Sequence, residues 1–182
     1  MKIIIVGAGL TGTELAKKLV SEKNNVVLID NNEETVRHVS NRLDCMVIHA
    51  DGNSLDTLEE AGIAKADALI LLTNSDEVNM ITCSLVEAIY PQVMKIARVR
   101  NYKYYVKTKK TQEYKELAAD GEVRPLYGID HMVYPDREAS VAILLPNATA
   151  EAITAGIICG GVTGVLYATA GKQSKLSQKS EN

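Results

Sequence analysis

Short apolar runs alternate with amphipathic stretches from residue 2 to about residue 99, the pattern of repeated βα units feeding a parallel sheet. The apolar runs predict strands over Lys2–Val6, Asn25–Asp30, Asp44–Ala50, Asp67–Thr73 and Met94–Val99. The stretches between them have helical periodicity and predict helices over Leu10–Glu22, Glu33–Arg42, Ser54–Ala61 and Asp76–Tyr90. Asn32 and Ser54 stand where N-caps belong, and Gly62 where a helix stops. Strands so rich in valine and isoleucine suit a sheet covered on both faces. With right-handed crossovers the expected fold is α/β, a Rossmann-type doubly wound parallel sheet. Beyond residue 100 the pattern loosens: Gln112–Ala119 predicts a helix ended by Gly121, His131–Tyr134 a sixth strand, and Pro135 the start of a helix over Asp136–Leu145.

The first βα junction carries the chemistry. Lys2-Ile3-Ile4-Ile5-Val6 runs into Gly7-Ala8-Gly9-Leu10-Thr11-Gly12, and the next strand ends at Asp30, 18 residues beyond Gly12. In a nucleotide fingerprint of this kind Gly7 allows the tight turn, Gly9 lets a pyrophosphate approach the backbone, and Gly12 lets the helix pack closely on the sheet. Phosphates would rest on the helix N-terminus, where free N–H groups and the helix dipole favour an anion. Asp30 is placed to accept hydrogen bonds from the adenosine ribose hydroxyls, and its charge disfavours a 2′-phosphate, so NAD(H) is expected rather than NADP(H). The bland alternative is a glycine turn that only packs a βα unit.

In such a sheet ligands bind at the carboxyl ends of the strands. Polar residues recur at those ends: Asp30-Asn31-Asn32, Asp51-Gly52-Asn53, Thr73-Asn74-Ser75-Asp76 and Arg98-Val99-Arg100. Any single one could equally be a turn residue or a helix cap. Lysines and tyrosines interleave over Tyr102–Lys110, but acidic residues follow at once and the 182-residue chain has a net charge of −3, so a solvated helix face is read there rather than a nucleic-acid stripe. A composition 46% apolar and 24% charged is that of an ordinary globular protein, with a core that must be aliphatic because Phe and Trp are absent. Cys45, Cys83 and Cys159 form no C-x-x-C pair, which argues against zinc and disulfide frameworks. The N-terminus opens on a strand without a basic or cleavable apolar leader, so a cytosolic protein is expected.

Several segments together resemble one family. They are the glycine motif, Asp30, His49-Ala50-Asp51-Gly52-Asn53-Ser54, Leu71-Leu72-Thr73-Asn74-Ser75-Asp76-Glu77-Val78-Asn79-Met80, Ala97-Arg98-Val99 and Gly128-Ile129-Asp130-His131-Met132-Val133-Tyr134-Pro135. As a set they are similar to the Trk/Ktr-type potassium-uptake regulatory proteins, whose N-terminal nucleotide-binding domain is called RCK, KTN or TrkA-N. The resemblance implies a cytoplasmic subunit, peripheral to the inner face of the plasma membrane, that binds NAD(H), or in some relatives ATP and ADP. Such a subunit transmits the ligand state to a membrane potassium channel or transporter and assembles as a homodimer or a higher ring. It also implies that Gly7, Ala8, Gly9, Leu10, Thr11 and Gly12 hold phosphates and that Asp30 and Asn31 flank the ribose. Asp51 and Gly52 would line the adenine side, Thr73 and Asn74 would close the pocket, and Arg98 would counter phosphate charge.

The expected organisation is a nucleotide-binding domain over residues 1–135, a crossover helix for dimerisation over 136–150, and a partly disordered extension over 151–182. Residues 101–127 are longer than the usual link, and the chain after Leu145 does not resemble the family's C-terminal subdomain. Ala152–Gly171 lacks charge, but its glycines and threonines dilute its apolar character, so a strand or loop is expected there rather than a membrane helix. The rival class is a small NAD-dependent oxidoreductase, because fold does not decide function. Such an enzyme needs a proton donor or acceptor near the nicotinamide. His38 is placed on a helix facing away from the crevice, His49 within a strand and His131 in a late strand, so no catalytic residue is expected.

Overall fold

The structure, a computed structural model, describes residues 1–105 and 126–135. The predicted helices over 112–119 and 136–145, Cys159 and the C-terminal extension lie outside the described residues. Met1–Met132 is one compact unit, and the boundary to the second falls at Val133.

Six strands form one sheet: β1 (Lys2–Val6), β2 (Asn25–Asp30), β3 (Met46–His49), β4 (Ala68–Leu71), β5 (Met94–Arg98) and β6 (His131–Val133). Their order is β3-β2-β1-β4-β5-β6, with β1 to β5 parallel throughout. The order reverses between β1 and β4, which is where a doubly wound sheet opens its ligand crevice. Helices α1 (Leu10–Ser21), α2 (Glu33–Ser40), α3 (Leu55–Glu60) and α4 (Asp76–Ile89) make the crossovers. The central strands β1, β2 and β4 are buried almost end to end, as the unbroken apolar runs require. The edge strand β3 is half exposed and pairs only over Met46–His49, shorter than the predicted 44–50.

Caps set the helix boundaries. Asn32 Oδ1 accepts from Thr35 N at 2.9 Å and starts α2, as predicted. Ser54 occupies the N-cap position of α3, but its hydroxyl makes no capping bond; Ser75, which the sequence reading did not single out as a cap, caps α4 by accepting from Val78 N at 3.2 Å. Gly62 follows α3 with φ +80°, the left-handed conformation that ends a helix.

The amino end of β5 is locked by charge. Lys95 is fully buried, and its Nζ lies 2.8 Å from Glu87 and 3.3 Å from Asp130 while donating to Val93 O at 2.6 Å. Asp130 also accepts from Lys95 N at 2.7 Å, and its own N–H donates to Lys95 O. The Gly-Ile-Asp segment is therefore a clamp that ties the chain before β6 to β5. Gly128, at φ +66°, sits so close to α4 that a Cβ would lie 2.5 Å from Glu87 Cβ.

Two outcomes follow from this packing. Lys95→Met removes the cation between two carboxylates that are only about one-third exposed and should destabilise the fold by about 3 kcal/mol in chemical denaturation; a loss under about 1 kcal/mol would mean the cluster is not structural. Burial pushes the Cys83 thiol up to about 12. Its folded pKa is raised, so the neutral thiol's contribution to stability is complete below the ordinary thiol range and is lost as pH climbs towards 12. Iodoacetamide at pH 9 should leave Cys83 unmodified in the folded chain and label it once urea is added.

Candidate functional site: a crevice at the strand ends

The turn after β1 is glycine for different reasons at each position. Gly7 has φ +103°, and a Cβ on it would stand 2.9–3.0 Å from the Leu72 and Thr73 backbone. At Gly12 a Cβ would collide with Gly7 O at 1.9 Å, so α1 can approach the turn only without a side chain there. Gly9 is different: nothing lies within 4 Å of where its Cβ would be. Gly9 is the N-cap of α1, with no side-chain cap and no acidic residue in the first turn. Bare backbone and the positive end of the helix dipole thus face open space, an arrangement that favours an anion.

Asp30 ends β2 and braces this turn. Its Oδ2 accepts from Ala8 N at 2.6 Å and its Oδ1 from Asn32 N at 2.9 Å. Each carboxylate oxygen has two acceptor sites, so one on each remains for a ligand hydroxyl. Beside it Asn31 Nδ2 donates to Asp51 Oδ1 at 2.9 Å, joining the ends of β2 and β3. Gly52 lets that loop lie against β1, since a Cβ would stand 2.1 Å from Val6 Cγ1.

The opposite wall depends on Asn79, which is fully buried on α4. Its Oδ1 accepts from Thr73 Oγ1 at 2.7 Å and Thr73 N at 3.2 Å, while its Nδ2 donates to Arg98 O at 2.8 Å and Thr73 O at 3.3 Å. One amide therefore ties the end of β4 to the end of β5. Arg98 Nη2 donates to Thr73 O at 2.7 Å and to Asn74 Oδ1 at 3.0 Å. Burial, and then the neighbouring Arg100, lower the Arg98 pKa. Its Nε is buried with no hydrogen-bond partner among the described residues.

The crevice between these walls has a volume of about 720 Å³. Gly7, Gly9, Leu10, Thr11, Gly12, Asp30, Asn31, Asp51, Gly52, Thr73, Asn74 and Arg98 all line it. Ala8 does not; it faces an adjoining groove of about 700 Å³ between α1 and α2 and serves the crevice through its N–H bond to Asp30. His38 lines that adjoining groove, between α1 and α2, and not the crevice. His49 Nε2 lies 3.1 Å from Asn31 O, at the mouth. The role of Asn79 was not read from the sequence, although an amide inside the buried stripe of a helix was a signal for it.

A family model described as the TrkA-N domain matches residues 3–125. The chain belongs to the TrkA-N domain family. This TrkA-N chain is 34% identical over 136 residues to the Trk system potassium uptake protein TrkA of Vibrio alginolyticus, a match covering 75% of the chain and 28% of that protein. It is 36% identical over 141 residues to the TrkA homolog of Methanothermobacter thermautotrophicus, covering 77% of the chain and 57% of the homolog. The chain thus spans little more than a quarter of the bacterial relative and just over half of the archaeal one. Among solved structures, the TrkA-N domain of the inner membrane protein ybaL from Escherichia coli superposes with a TM-score of 0.62 at 19% identity, covering 79% of this chain and 93% of that one. The GsuK channel bound to NAD gives a TM-score of 0.56 at 22% identity, covering 81% and 24%. These likenesses show the Rossmann-type fold of the TrkA-N domain.

Asn79→Ala leaves Thr73 and Arg98 backbone groups without their buried partner. It should destabilise the domain by about 2–3 kcal/mol in urea denaturation, whereas Asn74→Ala on the exposed side of the same turn should cost under about 1 kcal/mol.

Proposed function

We propose that this chain is the NAD(H)-binding part of a cytoplasmic regulatory subunit, peripheral to the inner face of the plasma membrane, that gates a membrane potassium channel or transporter. The observation that carries the nucleotide reading is Gly9: packing explains Gly7 and Gly12, but nothing in the fold crowds Gly9, so its missing side chain is explained by a ligand that must approach the backbone. The residues present fit a dinucleotide. Gly9, Leu10, Thr11 and Gly12 would offer first-turn N–H groups to the phosphates. Asp30 has acceptor sites left for the adenosine ribose, with Asn31, Asp51 and Gly52 on the adenine side. Thr73, Asn74 and Arg98 would close the far end, where the Arg98 Nε lacks an acceptor among the described residues.

Regulation rather than catalysis is supported by the relatives, which are named as potassium uptake proteins. Among the described residues, no histidine lines the crevice. The function of the bound nucleotide is then differential affinity: a ligand shifts an equilibrium between two arrangements of paired domains by no more than its preference between them. Assembly as a homodimer or higher ring would carry that preference to the membrane partner. An ATP- or ADP-sensing subunit would use the same glycine turn and ribose site, and calorimetric titration with NADH, NAD⁺, NADPH, ATP and ADP in parallel separates these ligands.

Asp30→Ala should raise the NADH Kd about 10- to 30-fold, the equivalent of a charge-assisted hydrogen bond, and should narrow the gap between NADH and NADPH. Unchanged NADH affinity would sink the ribose assignment. Steady consumption of NADH by the protein in the presence of a carbonyl substrate would instead restore the oxidoreductase reading.

A further inference from the structure

Two arginines at the β5 end of the crevice share a single ion pair among the described residues. Arg98 and Arg100 converge on Asn74: Arg98 Nη2 donates to its side-chain oxygen at 3.0 Å, and Arg100 Nη2 donates to its carbonyl. The only carboxylate in an ion pair with either arginine among the described residues is Asp76, 3.7 Å from Arg100 Nε. Arg98 has no ion-pair partner among the described residues, and its buried Nε has no acceptor. An unpaired guanidinium with an unused buried donor calls for an anionic oxygen.

Asp76 links this cluster to the chain beyond β5. It is almost fully buried at the start of α4, where its Oδ2 accepts from Arg100 N at 2.9 Å and Asn101 N at 2.7 Å. Its Oδ1 is buried without a hydrogen bond among the described residues. The next residue, Glu77, accepts from Tyr104 OH at 3.0 Å. Asn74 is thus the point where two arginines meet, one facing the crevice and the other carrying the backbone that Asp76 holds.

Building on the nucleotide reading, we infer that Asn74 is a latch that reports occupancy of the crevice. A phosphate oxygen of the bound nucleotide draws the Arg98 guanidinium from the Asn74 side chain. Asn74 then resets against Arg100, and the Asp76 bonds to the Arg100 and Asn101 N–H groups change with it. No covalent step is involved. Arg100 and Asp76 are positioning residues in this scheme, since neither lines the crevice.

Residue-resolved amide hydrogen exchange, with binding measured by calorimetry on the same samples, tests the latch. In the native chain, saturating NADH should change protection of the Arg100 and Asn101 amides by about tenfold, while saturating adenosine, which has no phosphate, should change it by less than about threefold. In Arg100→Met, altered at a half-exposed side chain, NADH should bind within about threefold of the native Kd and the exchange response should fall below about threefold. NADH binding without a change at Arg100 and Asn101, a response that survives Arg100→Met, or an equal response to adenosine would overturn the latch and leave the nucleotide reading standing. Absence of NADH binding to the native chain would overturn both.

Discussion

One carboxylate fixes the geometry on which the crevice depends. Asp30 holds Ala8 N–H through one oxygen and Asn32 N–H through the other, so the turn entering α1 and the turn entering α2 are set by the same side chain. Parallel pairing of β1 with β2 in the register Val6 to Ile29 brings the two strand ends level, and Gly7 N–H donates to Ile29 O at 2.8 Å. Removing a Cβ at Gly12 then allows α1 to close onto Gly7. The anion site at the helix start and the acceptor site at Asp30 are therefore two faces of one brace. A charge lost there would alter ligand contact and turn geometry together, which is why the comparison of NADH with NADPH is needed alongside affinity alone.

The crevice is electrically polarised along the sheet. Asp30 and Asp51 stand at the ends of β2 and β3, whereas Arg98 stands at the end of β5, with the uncharged glycine turn between them. A ligand with a neutral, hydroxyl-bearing nucleoside at one end and phosphate charge towards the middle matches that order. A 2′-phosphate at the carboxylate end would be opposed by both acidic groups. A preference for NAD(H) would thus rest on the arrangement of three strand ends rather than on Asp30 alone.

The βα alternation up to residue 99 was legible because it depends on periodicity and caps, both of which are local. The crevice was legible for the same reason: in a parallel doubly wound sheet, every strand end of one polarity arrives at one edge, so residues such as Asp51, Thr73 and Arg98 are brought together by topology. What periodicity could not reveal was how side chains share partners over long separations. Asn79, which also holds Thr73, reaches Arg98 across 19 residues, and Lys95 reaches Asp130 across 35. Gly52 illustrates the same limit, since its need for a missing side chain comes from Val6, far away in the chain. The ladder of β3 is shorter than the predicted 44–50, running over Met46–His49, although Ala50 N–H still donates to Asp30 O at 3.1 Å.

The two ends of β5 are held by different physics, and the difference bears on how a signal could leave the crevice. At the start of the strand, Lys95 is buried in a cluster with Glu87 and Asp130 and with backbone acceptors, an arrangement that is costly to open because it would strand a desolvated charge. At the finish, Arg98, Asn74, Arg100 and the buried Asp76 are joined by hydrogen bonds, with a donor on Arg98 and an acceptor on Asp76 unused among the described residues. A network with spare donors and acceptors can change partners without exposing apolar core, so its alternative states lie closer in free energy than those of the Lys95 clamp. Ligand binding energy entering at the glycine turn would therefore meet a fixed strand base and an adjustable strand tip. The proposed rearrangement stays at the carboxyl edge of the sheet, the same edge that holds the crevice.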